Sequence, residues 1–523
     1  VTRAWVVALT ALVSLALAPA ALADPASEAA AAAQFDALVA SPTKLRIFLK
    51  AMPKGGDLHN HLSGGIYAED YLKWAGAAGY CVDDSGTALV PPPCPTASRV
   101  ETLGGRDPFA FARLVDALST RGLQQGVGRN TVSGHGQFFA TFERFGPVAA
   151  GEAAKSLAAM RQLAAGDRVG YVELMHNPGA LNRATLAAPD GPIDPSGLDA
   201  LYQRESAAIG PIVMQAMAEL DRDEAEARRL LGCGGAAADP ACGVAVHYLT
   251  WAWRDVPPAQ AFRSLLLGFA LADRDPRYVG INIVQPEDWP IALRDYDLHM
   301  AMFRFLEAKY PKVHRTIHAG ELAFGLVPPR DLRDHIRKAI DAGAERIGHG
   351  TDIALEDDAR ATLARMARDG IAVEINLTSN DVILGVKGDH HPLQLYRSMG
   401  VPVTLSTDDE GVLRTDMTNE YVRAAREQGL RYADLKGVTR ASLEYAFIPG
   451  ASLWRDRQIG TPVAACRAIA DPACARFAET SEKARLQRDL ERRLDRFEQE
   501  VASGAFRMQA SLQPDTAGRD KSS

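Results

Sequence analysis

The chain lacks a surplus of either charge. Its 523 residues carry 58 Lys and Arg against 65 Asp and Glu, a formal net charge of -7. No basic excess is available to hold a nucleic-acid backbone, so no nucleic-acid partner is expected. Beyond residue 23 no charge-free apolar run approaches the ~18 to 20 residues of a membrane-spanning helix. Stable membrane insertion is therefore not expected. Cysteine is scarce, six in all, and no Cys-x-x-Cys occurs, which disfavours a structural zinc knuckle. There is no Gly-x-Gly-x-x-Gly after a strand, no Walker lysine and no His-Glu-x-x-His. A Gly-x-Ser-x-Gly elbow is absent, so covalent serine catalysis is unsupported. The His-x-Glu with Pro-Cys-x-x-Cys signature of the small cytidine deaminases is missing too.

What is present reads as a globular protein, with 47% hydrophobic and 24% charged residues. The length fits one large α/β barrel with additions, or two to three ordinary domains. Residues 1–23 contain Arg3 as their only charge, a largely apolar run from Ala4 to Ala18, and the small residues Ala21-Leu22-Ala23. This pattern predicts a signal peptide cut near Ala23, and hence an exported, periplasmic or secreted protein. The cysteines fall in local twos: Cys81 with Cys94, Cys233 with Cys242, and Cys466 with Cys474. Six cysteines allow fifteen pairings, of which three short loop-stapling disulfides are the simplest. Export and disulfides support each other.

Short apolar runs recur along the chain. They end at His61 and span 169–175, 244–250, 279–284, 315–318, 346–349, 371–377 and 401–406. Most are separated by stretches of helical periodicity, such as 261–271, 298–309 and 359–368. Residues 212–231 also read as helix, although Ile212-Val-Met could begin a strand. Such alternation argues for parallel strands with crossover helices, and eight strands suggest a closed (β/α)8 TIM-type barrel. The expected organisation is a signal peptide over 1–23, a helical lead-in over 24–50 and the barrel over 51–475. A C-terminal helical extension over 476–504 and a disordered tail over 505–523 follow. Surface insertions are expected at 81–96, 177–197 and 232–243. Leu486, Leu490, Leu494 and Phe497 mark one apolar stripe on the terminal helix. That stripe can pack on the barrel or pair with a second copy in a homodimer.

The chemistry-bearing residues fall at the ends of proposed strands, where such barrels place catalytic groups. His59 and His61 are two apart, so in a strand they face one way. His318 leads into Ala319-Gly320-Glu321, His349 sits between two glycines, and Asp408 is followed by Asp409. Three imidazoles from His59, His61 and His318 with the Asp408 carboxylate suit one Zn²⁺ per chain. Iron or manganese could use the same donors. A metal there would make water nucleophilic near neutral pH. Glu321 could protonate a substrate nitrogen, and His349 and Asp409 could hold or deprotonate the attacking water. A core or capping role is the alternative for each residue alone. The remaining histidines have no comparable context, and His390-His391 reads as a loop or capping pair. Tyr171, Met175 and the Phe138–Phe145 cluster read as packing, although the cluster could cover an aromatic substrate.

Together these residues resemble the adenosine deaminase family of amidohydrolase-type barrels. The matching pieces are Met52-Pro-Lys-Gly-Gly-Asp-Leu-His-Asn-His-Leu-Ser-Gly64, Tyr171-Val-Glu-Leu174, Ile317-His-Ala-Gly-Glu321, Arg346-Ile-Gly-His-Gly350, Leu377-Thr-Ser-Asn380 and Ser406-Thr-Asp-Asp409. The lead-in and the export signal are most similar to the secreted, growth-factor-type members. The resemblance implies zinc-dependent hydrolytic deamination of adenosine or 2′-deoxyadenosine to the inosine product and ammonia, a step of purine metabolism. His59, His61, His318 and Asp408 would bind the metal. Glu321 would protonate purine N1, and His349 and Asp409 would position the nucleophile. Ser63, Gly64, Phe138, Phe139, Gln285 and Gly320 would fall in the substrate pocket. Two departures stand out. Ser63 replaces an Asp that contacts the ribose end, and Gln285 replaces a glycine set against the purine. They open an alternative, a deaminase of a modified adenine nucleoside or nucleotide. A catalytically inactive barrel with a binding or signalling role is a further alternative.

Overall fold

Eight parallel strands form one sheet in chain order. They are β1 (Lys54–His61), β2 (Val169–Met175), β3 (Ala245–Trp253), β4 (Tyr278–Val284), β5 (His314–Ala319), β6 (Arg346–His349), β7 (Ala372–Ile375) and β8 (Val403–Leu405). The computed structural model describes residues 24–123, 133–188 and 191–504. The expected signal segment 1–23 and tail 505–523 lie outside the described residues. β8 returns to β1 through a parallel bridge between Asn60 and Asp408. There the His61 N–H donates to the Asp408 carbonyl at 3.2 Å, and the Asp408 N–H donates to the His59 carbonyl at 2.9 Å. The molecule is therefore the predicted (β/α)8 TIM-type barrel. The strands are buried on both faces, which is why their sequences read as apolar runs without clean alternation.

The additions differ in detail from the sequence reading. The lead-in is two helices, Pro25–Leu38 and Pro42–Ala51. Pro42 opens the second, where its missing N–H costs nothing. The excursion at 81–96 contains a hairpin pairing Cys81–Val82 with Leu89–Val90. Disulfides join Cys81 to Cys94, Cys233 to Cys242 and Cys466 to Cys474. The segment 177–197, expected as loop, contains a helix at Gly179–Leu186. Its first turn is held from outside, because the Ala180 N–H donates to the Glu219 carboxylate at 2.8 Å. Glu219 lies on a 33-residue helix, Leu198–Leu230, which settles Ile212-Val-Met as helical and begins earlier than periodicity suggested. A carboxylate supplied from another helix leaves no local sequence mark.

The apolar stripe of helix Glu482–Ala502 faces inward. Phe497 meets Phe48 of the lead-in with ring centroids 5.2 Å apart. Both terminal helices belong to the same hydrophobic core as the barrel. Among the described residues no helix is long and apolar enough to cross a membrane.

Candidate active site

The C-terminal strand ends bring His59, His61, His318 and Asp408 together, with one donor atom from each within 4.8 Å of the others. Two of the three imidazoles, His59 and His318, are directed by hydrogen bonds behind them. His59 Nδ1 is 2.6 Å from Glu374 Oε2. Glu374 also accepts from Arg346 at 2.6 Å and from Thr316 at 2.8 Å. Burial works against the Glu374 charge, but Arg346 and His59 outweigh it and hold the carboxyl at about 2. Arg346 in turn reaches Glu173 at 2.5 Å, which accepts from the Tyr171 hydroxyl at 2.9 Å. These bonds leave His59 Nε2 buried, 3.4 Å from Asp408 Oδ1 and without a hydrogen-bond partner. An orphaned buried imidazole nitrogen beside a carboxylate and two further imidazoles fits a divalent metal of the zinc type.

His318 is held by a lapse in the sheet. The β4–β5 ladder contains only the pairs Gly280–His314 and Ile281–Arg315. Beyond it, Asn282 Oδ1 accepts from the His318 backbone N–H at 3.0 Å and lies 2.9 Å from its Nδ1. Asp408 accepts from the Ser379 hydroxyl at 2.7 Å. His349, Gln285 and Asp408 all have positive φ, of 65°, 84° and 60°. Strain of this kind, on the order of 1–3 kcal/mol per residue, concentrates at functional sites.

Glu321 and His349 face each other beside the cluster, with His349 Nε2 3.6 Å from Glu321 Oε1. Burial first, then the charges of Asp408 and Glu287, push the Glu321 carboxyl well above the usual range. Its backbone is fixed too, because Glu287 accepts the Gly320 and Glu321 N–H groups at 3.1 and 2.9 Å. Asp409 is raised by burial and by Asp408, and its Oδ1 has no partner.

The tautomer of His349 follows from a chain of contacts. The Leu393 N–H donates to His391 Nδ1, so the His391 proton sits on Nε2. That proton is donated to Asn380 Oδ1 at 3.0 Å. The Asn380 amide N–H therefore points at His349 Nδ1, 3.1 Å away. This assignment leaves the His349 proton on Nε2, facing Glu321. Burial, then Arg423, holds His391 down to about 3, so it stays neutral near pH 7. His391, read from sequence as a loop residue, thus stands behind the site.

A cavity of about 560 Å³ opens over the cluster. Ser63, Phe138, Phe139 and Gln285 line it, as do His61, His318, Glu321, His349, Asp408 and Asp409. Met175, Phe142 and Phe145 line it as well, although the sequence suggested packing for them. Gly64 and Gly320 are not among the lining residues, contrary to expectation. A Cβ on Gly64 would meet Asp409 Oδ1 at 1.5 Å, and one on Gly320 would meet Asp352 Oδ1 at 2.3 Å. Gly64 makes room for the cavity-lining Asp409, and Gly320 for Asp352, which does not line the cavity. The positive φ at position 285 is one that glycine adopts without strain, yet this chain keeps glutamine there.

Fold and donor set define a (β/α)8 barrel with a histidine–aspartate group able to hold a metal. The family model described as adenosine deaminase matches residues 135–453, more than half of the chain. The chain belongs to the adenosine deaminase family. An adenine deaminase of Sinorhizobium medicae is 31% identical over 220 residues, covering 42% of this chain and 62% of that protein. An aminodeoxyfutalosine deaminase of Streptomyces coelicolor is 36% identical over 156 residues, 29% of this chain and 38% of that one. The matched stretches thus span less than two thirds of these relatives. A zinc-bound amidohydrolase structure from Burkholderia ambifaria superposes with a TM-score of 0.53 at 17% identity, covering 88% of this chain and 95% of that one. At that identity the likeness concerns the fold alone.

Proposed function

We propose that the protein is a zinc-dependent aminohydrolase that removes the 6-amino group of an adenine nucleoside as ammonia. The observation that carries this reading is the combination of the four-residue cluster with Glu321 and His349 on its rim. A folded barrel needs no such array. His59, His61, His318 and Asp408 would hold the metal. When bound, zinc supplies Lewis-acid charge that makes water nucleophilic near neutral pH.

The chain's own groups do the rest. Glu321, kept protonated by burial, donates from its carboxyl to purine N1, drawing electrons from C6. Asp409 Oδ1 has no hydrogen-bond partner. Burial and the Asp408 charge raise its carboxyl. Once a bound cation met that charge, Asp409 would accept a proton from the attacking water and return it to the amino group as the C6–N bond breaks. The proton of the added hydroxyl restores Glu321. His349, with its Nε2 proton toward the cavity, orients that water and stabilises charge that develops on it. Glu374 and Asn282 hold the imidazoles of His59 and His318 in place. Phe138 and Phe139 cover the purine.

Ammonia release and product identity, measured with the zinc-loaded full chain on adenosine, 2′-deoxyadenosine, AMP, adenine and N6-methyladenosine, test this reading. Conversion of an adenine compound to its hypoxanthine counterpart is expected. Failure on the whole panel would contradict it. Ser63 and Gln285 favour the companion reading that a modified adenine nucleoside is preferred.

Export is proposed on the three disulfides, which persist in oxidising compartments. Thiol titration of denatured protein from the cell envelope should find none free. Six free thiols would contradict that placement.

A further inference from the structure

The cavity continues well beyond what a purine needs. The same 560 Å³ space that touches His318 and Asp408 also touches Glu219, Arg222 and Asp223. Those three lie on helix Leu198–Leu230, outside the ring of strands. Adjacent layers of structure stand on the order of 10 Å apart, so the cavity has a distinct outer lobe.

The wall changes character along its length. Helix Gly134–Gly151 presents Phe138, Phe139, Phe142 and Phe145 in its first part. Farther along it presents Gly146, Ala149 and Ala150 at helical spacing, so its side chains recede. A Cβ on Gly146 would meet nothing within 4 Å. Trp251 and Trp253 also line the cavity, both half-buried, with ring centroids 5.0 Å apart. The cavity thus has walls of aromatic and small apolar side chains, and a rim of charged groups at its outer lobe. Its charges balance, with Arg183 and Arg222 against Glu219 and Asp223. Arg183 is already paired with Glu219 at 2.6 Å. No surplus of positive charge awaits a phosphate.

Orientation follows from the chemistry. C6 of the purine must face the metal cluster, so the ribose on the opposite edge points outward. Ser63, which the family resemblance puts at the ribose end, carries no charge of its own. We propose that the outer lobe receives an apolar thioether-sized substituent on the ribose 5′ carbon. The preferred substrate is then a 5′-alkylthio or 5′-arylthio adenine nucleoside, ahead of adenosine and of the 5′-nucleotide. This inference rests on the deaminase reading above.

The test compares kcat/KM of the zinc-loaded full chain for adenosine, AMP, 5′-deoxy-5′-methylthioadenosine and 5′-deoxy-5′-phenylthioadenosine. The phenylthio compound should exceed adenosine by roughly tenfold or more, mainly through KM, with AMP last. Adenosine equal to or better than both thioethers would overturn the inference and leave the deaminase reading standing. AMP as the best substrate would also overturn it. No turnover of any compound would sink both readings. Gly146→Phe should cut the phenylthio-to-adenosine ratio by about tenfold, whereas Gly146→Ala should preserve most of it. A ratio unmoved by Gly146→Phe, in protein that melts like the parent, would overturn the assignment.

Discussion

The two ends of the cavity are built by different rules. At the inner end three of the four candidate ligands are fixed from behind, His59 by Glu374, His318 by Asn282 and Asp408 by Ser379. Backbone strain collects there as well, at His349, Asp408 and Gln285. The outer lobe has half-buried aromatics, receding glycine and alanine, and charges that cancel. Reaction chemistry demands particular atoms at particular distances, and so it is over-determined. Accommodation of a substituent demands space, which many sequences can provide.

The sharpest way to break this contrast is to delete an inner ligand. His61→Ala should lose bound metal and lower kcat/KM by roughly 10⁴-fold or more. Metal analysis beside turnover checks it, and normal metal content would remove His61 from the ligand set. Next in size is Glu321→Gln, which keeps the shape and loses the proton. Turnover should fall by about 10³-fold with the metal retained. Full turnover in metal-loaded protein would reject the proton-donor role.

Two further substitutions test the supports behind the site. Glu374→Gln should weaken metal affinity by roughly 10- to 100-fold, read by competition with a chelator. Unchanged affinity would make the Glu374–His59 contact merely structural. His391→Ala frees Asn380 to turn and His349 to exchange tautomers. A fall of about tenfold in kcat with little change in KM is expected, since Asn376 remains 3.3 Å from the same nitrogen. His391→Asn, which retains an amide donor for Asn380, should recover part of the loss. Equal loss in both variants would argue for a packing role.

The same contrast explains what could be read from the sequence. His59-Asn-His61, His318-Ala-Gly-Glu321 and Asp408-Asp409 are legible because donor type and strand-end position are local properties. The eight strands are legible because burial on both faces leaves apolar runs. Glu374 and His391 were not singled out, because their importance lies in contacts to residues 315 and 11 positions away. Helix Gly179–Leu186 was hidden for the same reason, since Glu219 caps it from a separate helix. Phe142 and Phe145 read as core because an aromatic at helical spacing looks alike whether it faces a neighbour or a cavity. Gly64 and Gly320 were placed in the pocket because sequence cannot say which side of a wall a glycine serves.

The central claim is that the inner end adds water to an adenine ring and expels ammonia. Deamination of adenosine in oxygen-18-labelled water, with the purine product analysed by mass spectrometry, tests it most directly. The account predicts one labelled oxygen at C6 of the product, with ammonia released in equal amount. Ammonia release with no label in the purine, or no reaction by metal-loaded protein on any adenine nucleoside, would contradict it.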